Sequence, residues 1–304
     1  MKFELTILGS SSATPIYNRN PTSQLLNINE KYYLIDCGEG TQQQLLRFGL
    51  KFQRIDYIFI SHLHGDHYLG LVGLLSSMHL NGRTKKLILF GPPELKEILD
   101  IQFKHSLTTL RFPLEFSATQ SQQPELFFEN TDVQVLSFPL NHRIACTGFK
   151  ITLKQRLPKI RLDKVAELQI PVEHRQLIKK GFPFTDKHGN THSASELTMA
   201  ADAPRSYAYC SDTICDWTYL ENIKEVNLLY HESTFLHDLL DRATETYHTT
   251  ALQAGEIAQR AGVKHLLIGH FSARYRDLDQ LLEEAKTVFE HTQLALEGQT
   301  FEII

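Results

Sequence analysis

The most constraining feature of the sequence is a seven-residue segment, SHLHGDH (61–67), which follows an apolar stretch expected to form a buried strand. Alternate side chains of an extended segment point in the same direction, so His62 and His64 can hold one ion. Asp66 and His67 then begin a helix and can face a second ion. Neutral imidazoles together with a carboxylate suit Zn²⁺ and ions of similar character. The chain is therefore expected to bring a strand, a loop and a helix together at a metal centre.

Three later residues offer the ligands that this motif lacks. His142, Asp212 and His270 each follow a stretch with the apolar pattern of a strand. An aspartate after a strand can bridge two ions with its two oxygens. Each residue alone is a weak indication, because a single histidine at a strand end is more often a surface or core residue. Together with 61–67 they predict a site for two metal ions.

The hydrophobic pattern predicts an α/β sandwich, because strands of alternating and of continuous apolar character are interleaved with helices. Both halves of the chain carry polar residues after strands, where sheet proteins place their sites. One helix is expected to begin with Thr41 as its cap and to end at Gly49, and another is expected over 67–82. Further helices are expected at 93–103, 249–261 and 277–290, and strands at 3–9, 24–29, 31–38, 54–62, 85–92, 133–142, 148–153, 206–212, 226–233, 264–270 and 300–304.

The segment 154–205 interrupts this pattern and predicts an insert that projects from a single domain, 1–304, since it is too long for a simple connection. Residues 150–187 contain ten Lys/Arg and four Asp/Glu, a net charge of +6 that leaves −10 on the rest of a chain whose total is −4. A basic insert on an acidic body favours a surface that meets a polyanion. The alternative is a solvated hairpin with ordinary lysines.

Composition and cysteine usage limit the cellular setting. With 42% hydrophobic and 22% charged residues, the 304-residue chain has the composition of a folded globular protein. No long apolar run predicts a transmembrane helix, and the N-terminus lacks the apolar region of a signal peptide. The four cysteines form no CxxC pair. These features predict free thiols and a cytoplasmic location.

The HxHxDH segment, followed by a spaced His, Asp and His, resembles the pattern of the metallo-β-lactamase superfamily. The resemblance implies an αββα fold with a dinuclear metal site between two sheets. Within the superfamily, the sequence is most similar to the short form of the ribonuclease Z family, the tRNA 3′ endonucleases also called tRNase Z. The similar segments are GSSSATP (9–15), DCGEGTQ (36–42), HESTF (231–235), YHTTALQA (247–254) and IGHFSARY (268–275). The resemblance covers essentially the whole chain.

This resemblance implies a ligand set and a reaction. One zinc ion would be held by His62, His64 and His142, the other by Asp66, His67 and His270, and Asp212 would bridge them. Mn²⁺ or Fe²⁺ could replace Zn²⁺. A hydroxide between the two ions would attack the phosphorus of an RNA phosphodiester and leave a 3′-hydroxyl. Asp66 would orient that hydroxide or accept its proton.

Two further residues match the family's motifs and complete the expected chemistry. His248 is the expected general acid for the leaving O3′, because imidazole titrates near neutral pH and a neighbouring carboxylate raises its pKa. Glu232 is expected to position His248. A structural contact from Glu232 to a ligand histidine is nearly as well supported.

The basic insert lies where the family carries an arm that grips precursor tRNA, and the family's dimeric state implies a homodimer. Phosphate contacts supply affinity for RNA. The cations expected to make them are Lys154, Arg156, Lys159, Arg161, Lys164, Lys179 and Lys180.

Two segments depart from the family. The PxKxRN loop reads PIYNRN at 15–20, with Tyr17 in place of lysine, which puts cleavage relative to an encoded CCA in doubt. The Gly-Pro run of the arm is replaced by IPVEHR at 170–175, which puts its grip on tRNA in doubt.

Two other function classes stay open from the sequence. One is a superfamily hydrolase with a small substrate: a thioester, lactam, sulfate ester or cyclic phosphodiester. The basic insert and His248 argue against most of these, but not against a phosphodiesterase acting on a small ester. The other is a tRNA- or metal-binding relative without catalysis, which the complete ligand set disfavours. Loss of the insert should abolish RNA cleavage and spare a small chromogenic phosphodiester.

Overall fold

The computed structural model describes residues 2–16, 19–201 and 203–304. The chain forms two compact units. The main unit consists of Met1–Thr152 and Arg205–Ile304, and the insert consists of Leu153–Pro204. Tyr17, which carries the expected departure in the 15–20 loop, lies outside the described residues.

Most strands belong to two seven-stranded sheets of the main unit. The strands are β1 (Phe3–Gly9), β2 (Ser23–Ile28), β3 (Lys31–Cys37), β4 (Ile55–Phe59), β5 (Leu87–Gly91), β6 (Leu114–Ala118), β7 (Glu125–Glu129), β8 (Val133–Leu140), β9 (Cys146–Leu153), β10 (Lys159–Ile160), β11 (Phe184–Thr185), β12 (Thr191–His192), β13 (Thr198–Met199), β14 (Ser206–Cys210), β15 (Leu228–Glu232), β16 (His265–Gly269), β17 (Thr292–Leu294) and β18 (Thr300–Glu302). The strand orders are β18-β1-β2-β3-β4-β5-β6 and β17-β16-β15-β14-β9-β8-β7. Strands β3 to β6 run parallel, and so do β14 to β17. Each sheet therefore has an edge of carboxyl ends, where α/β proteins bind ligands.

The helices connect these strands and cover the sheets. They are α1 (Thr41–Arg47), α2 (Gly65–Tyr68), α3 (Leu71–Leu80), α4 (Glu94–His105), α5 (Leu162–Glu167), α6 (Val172–Lys179), α7 (Ala194–Leu197), α8 (Leu220–Ile223), α9 (Leu240–Thr246), α10 (Ala251–Ala261) and α11 (Asp279–Lys286). No helix in the described ranges is long and apolar enough to cross a membrane. The four cysteines are unpaired, as predicted.

The main unit consists of four layers. Its two sheets pack face to face through aromatic side chains, with 5.6 Å between the ring centroids of Phe59 on β4 and Phe149 on β9. One buried aliphatic cluster joins the first sheet to α1, α3 and α4, and another joins the second sheet to α8, α10 and α11. Burial of one large aliphatic side chain contributes about 1.5–3 kcal/mol, so these clusters hold the helices on the outer faces. The predicted αββα fold is confirmed.

The predicted elements are wrong in detail at three places. The helix expected over 67–82 is divided at Gly70, where a Cβ would lie 2.1 Å from the Gly38 carbonyl oxygen. Gly40, rather than Thr41, caps α1, because the Thr41 hydroxyl donates to the Gly38 carbonyl oxygen instead. The sequence pattern also does not predict β6, β7, β17, α8 or α9, which are short, and β6, β7 and α9 are mostly exposed.

The insert has a small core of its own. Ile170, Ile178, Phe184 and Leu197 are buried and pack together. Its short strands pair as β10 with β13 and β11 with β12, both antiparallel. The segment that the sequence marks as irregular is therefore folded.

Candidate metal centre and active site

The side chains of the predicted site lie at the carboxyl ends of strands. His62 follows β4, His142 follows β8, Asp212 follows β14, Glu232 ends β15 and His270 follows β16. After His62 the chain stays extended at His64 and then turns into α2, which puts Asp66 and His67 in its first turn. Gly38 permits the close approach of this turn, since a Cβ there would lie 2.4 Å from the Asp66 carbonyl oxygen.

His62, His64 and His142 form one group of potential ligands, here the first cluster. The Nε2 atoms of His62 and His142 each lie 3.1 Å from Nδ1 of His64. Asp212 directs Oδ2 towards this group, at 3.7 Å from the same two Nε2 atoms. Ligand atoms of all four residues lie within 4.8 Å of one another, so a single ion can contact them together.

Asp66, His67 and His270 form the second cluster. Oδ2 of Asp66 lies 3.5 Å from Nε2 of His67 and 3.4 Å from Nε2 of His270. Asp212 directs its other oxygen, Oδ1, to the same two nitrogens, at 3.2 and 3.1 Å. Asp212 thus offers one oxygen to each cluster, which is the placement that a ligand shared by two ions requires.

The donor set fits divalent ions of the zinc type. In the described parts of the chain, the buried Nε2 atoms of His67 and His270 find no hydrogen-bond partner. Burial lowers the pKa of all three first-cluster histidines, so these rings are neutral at pH 7 and keep a lone pair for an ion. Burial also opposes the charge on His67, but the nearby carboxylates, led by Asp212, raise its pKa well above the ordinary value. A cation could replace that proton, and imidazole with carboxylate is a usual ligand set for Zn²⁺.

A buried carboxylate that the sequence reasoning missed fixes the orientation of His67. Asp36, near the end of β3, accepts hydrogen bonds from Nδ1 of His67 at 2.7 Å and from the Tyr209 hydroxyl at 2.6 Å. It also accepts from the amide and the hydroxyl of Ser61. With Nδ1 donating to Asp36, Nε2 of His67 faces the second cluster as an acceptor. The available signal was a lone aspartate at the end of a predicted strand, in the DCGEGTQ segment.

Glu232 supports two site histidines from a fully buried position. Its Oε1 accepts from Nδ1 of His248 at 2.9 Å, and its Oε2 accepts from the Thr234 hydroxyl at 2.5 Å. The Thr234 hydroxyl oxygen lies 2.9 Å from Nδ1 of His270. Burial opposes the charge on His248, but the Glu232 carboxylate raises its pKa to about 9. Glu232 therefore contacts His248 directly and is linked to the ligand histidine His270 through Thr234, a residue that the sequence reasoning missed.

Four non-glycine residues with left-handed backbone lie around the site: Ala13, Asp36, Tyr247 and His270, with φ of 58°, 55°, 59° and 58°. Such conformations are costly for residues with a Cβ and tend to gather at functional sites. Two of them bring a backbone group within hydrogen-bonding distance of a predicted metal ligand. The Ala13 amide donates to Oδ2 of Asp66 at 2.7 Å, and the Tyr247 carbonyl oxygen lies 3.1 Å from Nδ1 of His142.

Comparison with known proteins decides the family. The chain is 49% identical over 302 residues to ribonuclease Z of Cytophaga hutchinsonii, covering 99% of this chain and 96% of that one. It is 46% identical over 297 residues to ribonuclease Z of Bacteroides fragilis, covering 98% of each. The chain belongs to the ribonuclease Z family. The family and the ribonuclease class predicted from the sequence are thereby confirmed.

Solved structures agree with this membership. The short form of human tRNase Z superposes with a TM-score of 0.72 at 25% identity, over 99% of each chain. The metallo-β-lactamase fold protein YhfI from Bacillus subtilis superposes with a TM-score of 0.69 at 20% identity, over 99% of this chain and 98% of that one, and supports the fold alone. A family model described as anti-Pycsar protein Apyc1 matches residues 3–279, so the chain belongs to the family of that model as well.

The seven cations predicted to bind RNA belong to the insert. Among them, Arg161 pairs with Asp163 at 2.8 Å and Lys164 with Glu167 at 2.6 Å. Exposed pairs of this kind contribute little stability, so a phosphate can compete for these cations. The other five are Lys154, Arg156, Lys159, Lys179 and Lys180. Their contact with RNA stays a prediction.

Proposed function

We propose that this member of the ribonuclease Z family is an endoribonuclease that removes the 3′ trailer from precursor tRNA and leaves a 3′-hydroxyl. The observation that carries the proposal is the pair of ligand clusters that share Asp212, beside the His248–Glu232 pair. Hydrolysis of a phosphodiester requires neutralisation of phosphate charge, an oriented water and a protonated leaving oxygen. This arrangement offers groups for all three. The two relatives at 49% and 46% identity carry the name ribonuclease Z, which supports RNA as the substrate.

The clusters would hold two divalent ions, for which Zn²⁺ is the proposed identity and Mn²⁺ or Fe²⁺ are substitutes. The first cluster would hold one ion, the second cluster the other, and Asp212 would contact both. When bound, two such ions lower the pKa of water and neutralise charge on a reacting phosphate. Asp36 and Thr234 would keep the ligand nitrogens of His67 and His270 turned towards the second ion.

Asp66 and His248 are the proposed proton carriers. The Ala13 amide fixes Oδ2 of Asp66, so this carboxylate can orient the attacking water and accept its proton. His248 donates to Glu232 through Nδ1, which leaves Nε2 to donate a proton to O3′ as the P–O3′ bond breaks. The upstream RNA then ends in a 3′-hydroxyl, and the trailer keeps the phosphate.

The insert is the proposed tRNA-binding element, because its basic side chains can pair with phosphates. A homodimer and a cytoplasmic location belong to the same proposal. The family resemblance supports the first, and the unpaired cysteines support the second.

The test is a digest of one precursor tRNA, made with and without an encoded CCA, by metal-loaded and by chelator-treated protein. The 3′ ends of the products are mapped. We expect metal-dependent cleavage after the discriminator nucleotide, blocked by CCA. Cleavage after CCA would retain the activity and assign the altered position to the 15–20 loop. Asp212→Ala should abolish cleavage, whereas Lys264→Ala, at an exposed position of the main unit, should not change it. Failure to cleave either precursor with two ions bound would refute the proposal.

A hydrolase of small phosphodiesters is the second candidate. The cavity over the two clusters, about 530 Å³, favours it because that volume suits a small ligand. Exchange of Lys179 and Lys180 for alanine separates the two candidates. A tRNA endonuclease should lose RNA cleavage and keep its turnover of bis(p-nitrophenyl) phosphate. Turnover of bis(p-nitrophenyl) phosphate by a protein that cleaves neither precursor would favour the small-ester hydrolase.

A further inference from the structure

We propose that Arg143 and Arg242 bind the phosphate immediately upstream of the cleaved bond, so that the main unit itself sets the register of the RNA. This inference rests on the proposed function and concerns the same site. Both arginines are exposed, and both line the cavity over the two clusters.

The two arginines adjoin the histidines on one side of the site. Arg143 follows His142 directly, and α9, which carries Arg242, ends two residues before His248. The ring centroids of His142 and His248 are 5.4 Å apart. A hydrogen bond of 3.3 Å from Arg143 to the Glu245 carbonyl oxygen joins the loop after β8 to the last turn of α9. The arginines are therefore held beside the expected proton donor.

Cationic and anionic side chains are unevenly distributed over the wall of this cavity. Arg143 and Arg242 are the only Lys or Arg residues among the described residues that line the cavity. Glu39 also lines the cavity and follows Gly38, whose backbone packs against the loop of Asp66. A phosphate outside the metal centre is thus attracted by the arginine side and repelled by the Glu39 side.

The contacts that Arg143 and Arg242 make with the described residues are weak. Arg242 lies 3.5 Å from Glu245, and the two side chains are 55% and 69% exposed. An exposed ion pair at this distance is weak. A phosphate accepts paired hydrogen bonds from a guanidinium and can displace the carboxylate.

The position of the leaving O3′ indicates which RNA phosphate the two arginines contact. His248 protonates O3′, which belongs to the nucleotide upstream of the cleaved bond. That nucleotide therefore lies on the His248 side of the cavity. Apart from the cleaved group, its own 5′-phosphate is the anion nearest to Arg143 and Arg242.

The experiment measures kcat/KM for precursor tRNA with a single uncharged methylphosphonate, placed one phosphate upstream or one downstream of the mapped cleavage site. Arg143→Ala and Arg242→Ala should each lower kcat/KM on the unmodified precursor by about tenfold. Loss on bis(p-nitrophenyl) phosphate should be far smaller. The upstream methylphosphonate should slow the wild-type protein and remove most of the difference between wild type and variants. The downstream one should leave that difference intact.

Lys224→Ala is the matched control, since Lys224 forms an i,i+3 pair with Glu221, as Arg242 does with Glu245, and does not line the cavity. It should behave as the wild type. Persistence of the arginine effect on the upstream-modified RNA would overturn the inference, and so would its removal by the downstream modification. Equal losses on RNA and on the small ester, or a loss of bound metal, would also overturn it. A wild-type protein that cleaves no precursor would instead refute the proposed function.

Discussion

Asp36→Asn tests whether a buried carboxylate sets the ligand orientation of His67. The substitution keeps the size of the side chain but replaces one oxygen by an NH₂ donor. If the amide nitrogen takes the place of Oδ2, it faces Nδ1 of His67 and forces the proton to Nε2, so that the ring can no longer bind an ion there. If it takes the place of Oδ1, it faces the Ser61 amide, which is also a donor. The first orientation therefore removes a ligand nitrogen, and the second leaves a buried donor without an acceptor.

The contacts of Asp36 give the expected magnitude. A hydrogen bond to a charged group contributes about 1.5–3 kcal/mol, and one buried unsatisfied donor costs about 1–3 kcal/mol. We expect the metal-free variant to lose about 2–4 kcal/mol of unfolding free energy. In a chain of this size that corresponds to a decrease in Tm of about 3–6 °C. Loss of a carboxylate behind a ligand histidine lowers metal affinity by about 10–100-fold, and the loss should fall on the second cluster.

The assay is a competition titration against a chromophoric zinc chelator, with thermal unfolding of the metal-free protein measured in parallel. Tyr209→Phe is the control, because it removes one hydrogen bond to the same carboxylate and leaves the bond to His67. Its metal affinity should stay within about threefold of the wild type. If Asp36→Asn binds both ions with wild-type affinity, the orienting role assigned to Asp36 is wrong.

Three shorter predictions concern the proton donor, the insert and the loop of the metal motif. His248→Ala should slow RNA cleavage by about 10²–10⁴-fold. It should slow cleavage of bis(p-nitrophenyl) phosphate much less, because nitrophenolate leaves without a proton. Equal decreases in the two cleavage rates would argue against His248 as a general acid. Ile178→Ala leaves a cavity in the core of the insert and should lower the unfolding free energy of the insert by about 2–5 kcal/mol. The variant should then be cleaved faster by a protease within 153–204 while its metal content stays unchanged. Unchanged resistance to the protease would contradict this prediction. Gly38→Ala places a Cβ 2.4 Å from the Asp66 carbonyl oxygen and should remove one bound ion, whereas Gly73→Ala, whose Cβ would have no neighbour nearer than 3.5 Å, should bind both.

The sequence predicts those parts of the site that a short spacing or a strong periodicity encodes. His62, His64 and His67 are fixed by one strand, one loop and the first turn of one helix, so local geometry suffices to bring them together. Asp36 is different, because its role arises from packing against β4 and against Tyr209, which lies 173 residues away in the chain. Thr234 meets His270 only because β15 and β16 are neighbours in the second sheet. Contacts of this kind depend on tertiary pairing, which no local pattern contains.

The same distinction applies to the fold. Strands with one or both faces buried carry a clear hydrophobic pattern, and the sequence locates them. Strands β6 and β7 are short and largely exposed, so their pattern is weak. The break at Gly70 also has a tertiary cause, since the close approach of the Gly38 backbone decides it. The apolar pattern of 67–82 by itself favours a continuous helix there.

The two clusters are supported by different groups, and this predicts the order in which they lose metal. In the second cluster, Nδ1 of His67 meets the Asp36 carboxylate, and Nδ1 of His270 meets Thr234, which is itself bonded to Glu232. In the first cluster the contacts are less direct, because the Ser61 hydroxyl beside His62 is bonded to Asp36 as Thr234 is to Glu232, whereas His67 of the second cluster meets its carboxylate without an intermediary. Nδ1 of His62 lies 3.0 Å from the Ser61 hydroxyl, and Nδ1 of His142 lies 3.1 Å from the Tyr247 carbonyl oxygen.

A carboxylate behind an imidazole raises its basicity and strengthens its bond to a metal ion, so the second cluster should bind its ion more tightly than the first. Titration of the zinc-loaded protein with a chelator should then remove the two ions in two steps, followed as bound zinc per chain. His142→Ala should abolish the weak step and keep the tight one, and His270→Ala should do the reverse. Loss of both ions in a single step from the wild-type protein, or a tight step that depends on His142, would show that the supporting groups do not determine the relative affinities.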